Sequence, residues 1–279
     1  MFGIPTHLLA KVTVTETTTA VTLSVNPIVI AALSFTPRHL VVRTDSKSAG
    51  AEQDIYIQFN GDGGSNYNYQ RILGKAATTS AERITGAVRQ KFSSSPVSTD
   101  ANQFASGEML IPDALSTRSH KSTISFTGLV EDRVYAYAGR WADTAAITSV
   151  TLTQNTLAFA AGSIFELCVV DESYVIDEEI NTSTAQFDHS SISAADGDLV
   201  VIGNLRSDVS SHIEELGLQF NNDSTDGNYA RQRMTGHNNS VKGAYASASN
   251  AVSHAAGANA DANGFSGFVA QIVNFSDGA

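Results

Sequence analysis

The stretch FNGDGGSNYNYQRILG at residues 59–74 has a counterpart in FNNDSTDGNYARQRMTG at residues 220–236. With a one-residue insertion at Gly227, nine positions are identical once the glutamine before each stretch is included. The identical pairs are Gln58/Gln219, Phe59/Phe220, Asn60/Asn221, Asp62/Asp223, Asn66/Asn228, Tyr67/Tyr229, Gln70/Gln232, Arg71/Arg233 and Gly74/Gly236. The same residues recur in the same order, which indicates two copies of one local structure.

The similarity extends to both sides of the two stretches. Upstream, HLVVRTDSKS at 39–48 matches DLVVIGNLRS at 198–207, and downstream DANQFASG at 100–107 matches DANGFSG at 261–267. Segments so far apart rarely agree in order and spacing by chance. The sequence therefore indicates a duplicated β domain, and we expect one domain at residues 1–172 and a second, shorter one at 173–279.

Apolar and polar residues alternate along many short segments. The alternating apolar positions include Val12, Val14, Val21, Leu23, Val25, Ile55, Ile57, Phe59, Leu199, Val201, Leu216 and Leu218. A period of two places such side chains on one face of a strand, and turn-forming residues separate the segments. The predicted fold is all-β, with two tandem antiparallel β-sandwich domains of jelly-roll type. Residues 84–92 have only a weak helical spacing and are predicted to form a loop.

The two copies are unequal. The first copy continues after DANQFASG with further segments over residues 114–170, whereas the second has only a few residues after DANGFSG. An incomplete sandwich leaves strand edges unpaired and an apolar face uncovered. We therefore expect the second domain to be incomplete by itself, and to be completed by further chain or by strands of a neighbouring subunit.

The composition argues against several classes of protein. A net charge of −11 without a basic cluster argues against nucleic-acid binding. The sequence has no apolar run long enough for a membrane span, and its first residues lack the features of a signal peptide, so we expect synthesis in a cytoplasm. The single cysteine, Cys168, lies in the apolar segment IFELCVV and is expected to be a buried thiol rather than a nucleophile.

The repeated motif is open to a metal-binding interpretation. Asn60 and Asp62 in the first copy, and Asn221 and Asp223 in the second, offer oxygen atoms of the kind that calcium prefers. However, the further acidic residues of a calcium loop are absent. These four residues are therefore only weak candidates, and we expect neither a required metal nor a cofactor.

The sequence favours a structural hairpin instead. The Asn-Gly-Asp stretch supplies residues that adopt positive φ and bond to their own backbone, which is what a tight turn between two strands needs. In this interpretation each tyrosine covers the edge of the core and each arginine bonds across the hairpin to the aspartate. The residues assigned to the hairpins are Phe59, Asn60, Asp62, Tyr67, Arg71, Phe220, Asn221, Asp223, Tyr229 and Arg233.

The sequence contains no recognisable catalytic arrangement. The seven histidines are scattered, and there is neither a nucleophile-elbow motif nor a phosphate-binding loop. We therefore assign no catalytic residue and predict a protein that is not an enzyme. Trp141 is the only tryptophan and is expected to anchor either the core or an interface. A carbohydrate-binding surface would have to use Trp141, Tyr67 or Tyr69.

Four strings together resemble a recurrent family of tailed-bacteriophage virion proteins. They are HLVVR at 39–43, FNGDGGSNY at 59–67, WADTAAIT at 141–148 and FAAGSIFEL at 159–167. The resemblance covers residues 9–170, whereas the second copy matches only through its hairpin and DANGFSG. It implies a structural β module of a virion and assigns no catalytic residue.

This resemblance implies a structural protein of the virion without distinguishing head from tail. Because the sequence shows neither a catalytic signature nor a collagen-like or coiled-coil stalk, we expect in first place an outer capsid decoration, or cement, protein. A tail-fibre, baseplate or host-adhesion component is the alternative, and a carbohydrate-binding module is an alternative of another class. The implied partners are other virion proteins, either the major capsid protein or tail proteins. The chain is also expected to form a homo-oligomer, with a trimer as one candidate state.

Overall fold

The computed structural model describes residues 5–75, 78–96, 103–129, 133–171, 186, 199–221, 223–237, 240–246, 248–260 and 263–272. Up to residue 171 these contain one short helix, α1 (Pro27–Ala31), and a series of antiparallel strands. The strands are β1 (Thr6–Thr13), β2 (Ala20–Ser24), β3 (Leu40–Ser46), β4 (Gln53–Phe59), β5 (Tyr67–Lys75), β6 (Thr78–Ala87), β7 (Gln90–Ser95), β8 (Ala105–Ile111), β9 (Lys121–Leu129), β10 (Arg133–Trp141), β11 (Ser149–Gln154) and β12 (Ile164–Val170).

The strand pairing is that of a jelly roll. β1 pairs with β12, β2 with β11, β3 with β8 and β4 with β7, so that the pairs form successive rungs of one long antiparallel ribbon. Alternate rungs lie in different sheets, which is how a jelly roll folds its ribbon into two layers. Two hairpins, β5–β6 and β9–β10, extend one layer into the order β1-β12-β3-β8-β9-β10-β5-β6, and the other layer is β2-β11-β4-β7.

The main core lies between these two sheets. From Ile55 onwards every second side chain of β4 is fully buried, and Ile55, Ile57 and Phe59 each have 0% exposure. They belong to the same apolar cluster as Val42 and Leu167 of the opposite sheet. Each such side chain contributes roughly 1.5–3 kcal/mol of burial free energy. The alternation in the sequence therefore corresponds to burial between the layers.

The eight-stranded sheet is also covered on its outer face. Val41, Leu110, Cys168 and Val170 form a second buried cluster there, against which Val200, Ile202 and Val269 pack. Both faces of the central strands are thus apolar, which explains why their sequences read as continuous apolar runs. Cys168 is a buried free thiol, as predicted.

After residue 198 the described strands are β13 (Leu199–Leu205), β14 (Ile213–Gly217), β15 (Arg231–His237), β16 (Ser240–Ala246), β17 (Ala251–Ala256) and β18 (Ser266–Ile272). They form three two-stranded ladders, β13–β18, β14–β17 and β15–β16. These ladders correspond to β3–β8, β4–β7 and β5–β6 of the first copy. The second copy thus repeats two inner rungs of the jelly roll and its first inserted hairpin.

Details of register are repeated as well. The β5–β6 pairing closes at Lys75 and Thr78, and the β15–β16 pairing closes at His237 and Ser240, so the same number of residues separates the strands. Both β4–β7 and β14–β17 contain a register shift, which marks a β-bulge or a similar irregularity. The two copies therefore share a pairing scheme as well as a sequence pattern.

The all-β antiparallel fold is confirmed, but a second sandwich is not. The described strands of the second copy lie in separate two-stranded sheets, and only the small residues Ala251, Ala255 and Ala256 are classed there as buried apolar residues. The domain boundary expected between residues 172 and 173 lies outside the described residues, as does the segment 173–198 apart from residue 186. The loop predicted at 84–92 was wrong, because β6 and β7 occupy most of this range.

Candidate functional site

The turn of the first motif is built by two residues with positive φ. Asn60 has φ 53° and Gly61 has φ 69°, and the Asp62 N–H donates to the Phe59 carbonyl over 2.9 Å. Positive φ at both central positions is the geometry of a type I′ turn, for which Asn-Gly is a preferred sequence. In the second copy Asn221 has φ 54°, and Asp223 donates to Phe220 over the same 2.9 Å.

The Asp62 carboxylate organises the first loop. Its Oδ1 accepts a hydrogen bond from the Gly64 N–H at 2.8 Å, and its Oδ2 accepts from Asn66 Nδ2 at 2.8 Å and from Trp141 Nε1 at 2.6 Å. Burial raises the pKa of this carboxyl, but the three hydrogen bonds outweigh burial and hold the pKa below its usual value. Asp62 is therefore a charged acceptor that fixes both its own loop and the indole of Trp141.

The Asn60 side chain holds the connection between β10 and β11. Its Oδ1 accepts from the backbone N–H groups of Thr148 at 2.7 Å and Ser149 at 3.1 Å, while its Nδ2 donates to the Ala146 carbonyl at 2.9 Å. One amide thus satisfies three backbone groups of a segment that is distant in sequence. Nothing in the sequence predicted this contact, although Asn60 and residues 146–148 lie in two of the strings that carry the family resemblance.

Lys121 braces the same connection from the other side. Its side chain has 0% exposure, and Nζ donates to the carbonyls of Ser116 at 2.6 Å, Ser119 at 2.8 Å and Thr144 at 3.2 Å. Burial lowers the pKa of this amine. Its sequence context, HKSTIS, contains no signal of such a role, because the three carbonyls come together only in the folded chain.

The second motif repeats the internal bonds of the first. Asp223 Oδ1 accepts from the Thr225 N–H at 2.9 Å, and Oδ2 accepts from Asn228 Nδ2 at 2.7 Å. These bonds lower the pKa of Asp223. The Tyr229 hydroxyl accepts from the Phe220 N–H at 3.1 Å, as Tyr67 does from Phe59 at 2.9 Å. The same turn is therefore present in both copies. The prediction that it joins two strands of a hairpin was wrong, because β4 and β5 lie in different sheets and β14 and β15 lie in separate ladders.

The external bonds of the motif occur in the first copy alone. Among the residues that the structure describes, no tryptophan reaches Asp223, and the Asn221 side chain is exposed and makes no hydrogen bond. Phe59 and Tyr67 have 0% exposure, whereas their counterparts Phe220 and Tyr229 are only partly buried. The second motif is thus a folded turn that lacks the covering segment of the first.

The arginines do not pair with the aspartates of their motifs, so that prediction was also wrong. Arg71 forms an ion pair with Glu82 at 3.1 Å, and its guanidinium lies over the ring of Tyr135 at 5.8 Å. Arg71 and Glu82 are direct partners across β5 and β6, which places their side chains side by side. In the second copy Arg233 instead approaches Glu215 of β14 at 3.8 Å.

The oxygens proposed as calcium ligands are engaged with N–H donors. In the first copy both carboxylate oxygens of Asp62 and the amide oxygen of Asn60 accept hydrogen bonds. In the second copy both oxygens of Asp223 do the same. Within the described ranges, no three His, Cys, Asp or Glu side chains come close enough together to hold a metal ion.

Trp141 lies in the core. It is 1% exposed, its ring centroid is 5.5 Å from that of Phe59, and it stacks on Tyr67 at 6.4 Å. Of its two expected roles the structure shows the core anchor and not an exposed interface residue. Tyr67 and Tyr69 are 0% and 6% exposed. The aromatic residues suggested for a sugar-binding surface therefore do not form one.

No known family, curated protein or solved structure significantly matches the chain. The resemblance to virion proteins thus stays a prediction based on the quoted strings. None of the helices in the described ranges has the length and apolarity to cross a membrane. Within those ranges the turn of the motif is built twice, and in the first copy its side chains hold a distant segment of the same chain.

Proposed function

We propose that this chain is a non-enzymatic structural protein of a tailed-bacteriophage virion, in first place an outer capsid decoration protein. The observation that carries the proposal is that the side chains of the repeated motif bond to other parts of the same chain. Asp62, Asn60 and Tyr67 bond to the protein's own backbone and side chains. The internal bonds of the aspartate and the tyrosine are repeated in the second copy. Such a motif supports assembly of the polypeptide and offers no reacting group to a substrate.

The architecture also supports a role in assembly. Jelly rolls occur widely in viral capsid proteins, and the four strings at 39–43, 59–67, 141–148 and 159–167 resemble virion proteins. Among the described residues, the two-stranded ladders of the second copy have strand edges without a partner strand, and such edges are suited to contact with other chains. Many modest contacts repeated over a capsid lattice give high avidity without a single strong site.

The proposed partners are the major capsid protein and further copies of this chain, with a trimer as one candidate state. The proposed location is therefore the virion, after synthesis in the cytoplasm of the bacterial host. A tail-fibre, baseplate or adhesion component remains the alternative, because the same features would serve assembly on a tail.

Immunogold electron microscopy of purified virions from the source phage tests the proposal. Antibodies against the purified chain should label the whole surface of the head. Label confined to the tail or its tip would replace the decoration role with the tail alternative. If mass spectrometry detected none of the chain in purified virions, a structural role would be contradicted altogether.

A further inference from the structure

The second copy has two strand edges whose counterparts are paired in the first copy. In the first copy β4 pairs with both β7 and β11, and β5 pairs with both β6 and β10. In the described part of the second copy β14 pairs only with β17, and β15 only with β16. Among the described residues, the edge of β15 that would pair with a counterpart of β10 has no partner strand, and neither has the edge of β14 that would pair with a counterpart of β11.

The side chains next to these edges are correspondingly exposed. Leu216 and Phe220 correspond to Ile55 and Phe59, which are fully buried in the first copy, but they are only partly buried. On β14, Ile213 is 62% exposed. Apolar side chains at unpaired edges favour association with a further strand. No described residue of this chain supplies that strand.

The first copy shows what fits such a site. Its covering segment consists of β10, the connection 142–148 and β11, and it ends β10 with Trp141 opposite Tyr67. Asp62 accepts the indole N–H of Trp141, and Asn60 bonds to three backbone groups of residues 146–149. The contacts are thus one tryptophan-specific bond, one backbone clamp and two ladders.

We propose that the second copy is a docking site for an extended segment of another polypeptide, which adds strands to β14 and β15 and places a tryptophan against Asp223. Asn221 and Asp223 hold the same conformations as Asn60 and Asp62, since the φ values of the asparagines are 54° and 53° and the internal carboxylate bonds agree. Asn221 then clamps the backbone that follows the tryptophan.

The occupant is a different polypeptide rather than a second copy of this chain. The segment of this sequence that fits such a site, residues 133–154, is already paired on both sides within its own sandwich. A second molecule could donate it only by opening its own jelly roll and exposing Trp141. A partner with an extended segment can add a strand without opening a folded domain. Main-chain hydrogen bonds then supply affinity, and side-chain pockets supply selectivity.

A synthetic peptide with the sequence of residues 133–154 serves as the probe. Fluorescence anisotropy of the labelled peptide, titrated with the full chain, should show saturable binding with one peptide per chain. Asn221→Ala and Asp223→Ala should each weaken binding roughly tenfold or more, since each removes hydrogen bonds to the bound segment. A peptide with phenylalanine in place of Trp141 should lose affinity for the parent chain but differ little for Asp223→Ala.

Asp208→Ala is the matched control, because Asp208 is an exposed aspartate outside the repeated motif. It should bind the peptide as the parent does. Absence of binding to the parent chain would overturn the proposal, as would binding that is equally strong in the Asn221 and Asp223 variants, since that would indicate exchange into the first copy. Self-association of the parent chain that the peptide dissolves would make a second copy the occupant and would also overturn it. None of these outcomes depends on where the chain sits in a virion.

Discussion

At the residue scale, a comparison of Asn60 with Asn221 distinguishes the effect of the backbone conformation from the effect of the side-chain contacts. Both adopt positive φ, but only Asn60 bonds to the connection before β11. A non-glycine residue without asparagine's local bonding loses roughly 1–2 kcal/mol in this conformation. The loss of the clamp is a separate cost, because its backbone partners are left without their acceptor and donor.

We expect Asn60→Gly, which keeps the backbone conformation, to destabilise the chain by about 1–3 kcal/mol through the lost clamp. Asn60→Ala should cost more because it adds backbone strain, whereas Asn221→Gly should leave stability nearly unchanged. Urea unfolding, monitored by the fluorescence of Trp141, the only tryptophan, tests this order of stabilities. Equal stability of Asn60→Gly and the parent would show that the clamp contributes nothing.

The lowered pKa of Asp62 leads to a pH dependence with a defined sign. A carboxyl whose pKa is lower in the folded state stabilises the fold fully above its unfolded pKa of about 4. This contribution is lost as the pH falls from there through the folded pKa. The parent should therefore lose stability in acid more steeply than Asp62→Asn, as measured by urea midpoints between about pH 6 and pH 3. Parallel profiles would contradict the role of the charge.

At the element scale, the β5–β6 hairpin contains a cross-strand ion pair that has no counterpart among the described residues of the β15–β16 hairpin. Arg71 faces Glu82 directly, is only partly exposed and packs over the ring of Tyr135. Arg233 is more exposed, and its acidic neighbour Glu215 lies on β14 outside the hairpin. The same residue type therefore serves two different connections in the two copies.

Arg71→Ala should lower the free energy of unfolding by about 1–2 kcal/mol, because the variant loses both the ion pair and the packing on Tyr135. Arg233→Ala should shift the urea midpoint much less. A double-mutant cycle of Arg71→Ala and Glu82→Ala isolates the pair and should give a favourable coupling. A coupling of zero would show that Arg71 acts through packing alone.

At the scale of the whole molecule, the second copy covers the outer face of the large sheet. Val200, Ile202 and Val269 pack against Val41, Leu110, Cys168 and Val170. The jelly roll of the first copy has its own core between its two layers, so we expect it to fold without this cover. The cover does, however, keep the single thiol away from water.

We expect a fragment of residues 1–172 to be soluble and to unfold cooperatively, with Trp141 buried as in the full chain. Its Cys168 should react with a thiol reagent much faster than Cys168 of the full chain, because the covering side chains are gone. Residues 173–279 alone should aggregate or assemble. Slow thiol reaction in a folded 1–172 fragment would contradict the packing of the second copy on this face.

The sequence alone was sufficient to predict the all-β fold, the repeat and the tight turn of each motif, but not that the first turn connects strands of two different sheets. The predicted features depend on local rules, since the period of two sets which side chains are buried and the Asn-Gly pair at 60–61 prefers positive φ. The arginine contacts were wrong because the partner of a strand residue depends on pairing register, which put Arg71 opposite Glu82 rather than Asp62.

Only the tertiary structure decided which residues the motif holds. Asp62 and Trp141 are 79 residues apart, and Asn60 and Thr148 are 88 apart, so nothing local in the sequence links them. The jelly-roll ribbon brings them together by placing β10 and β11 beside β5 and β4. The burial of Lys121 and the packing of β13 and β18 on the outer face have the same origin. Such contacts follow from which strands become neighbours, and long-range pairing is a property of the whole chain.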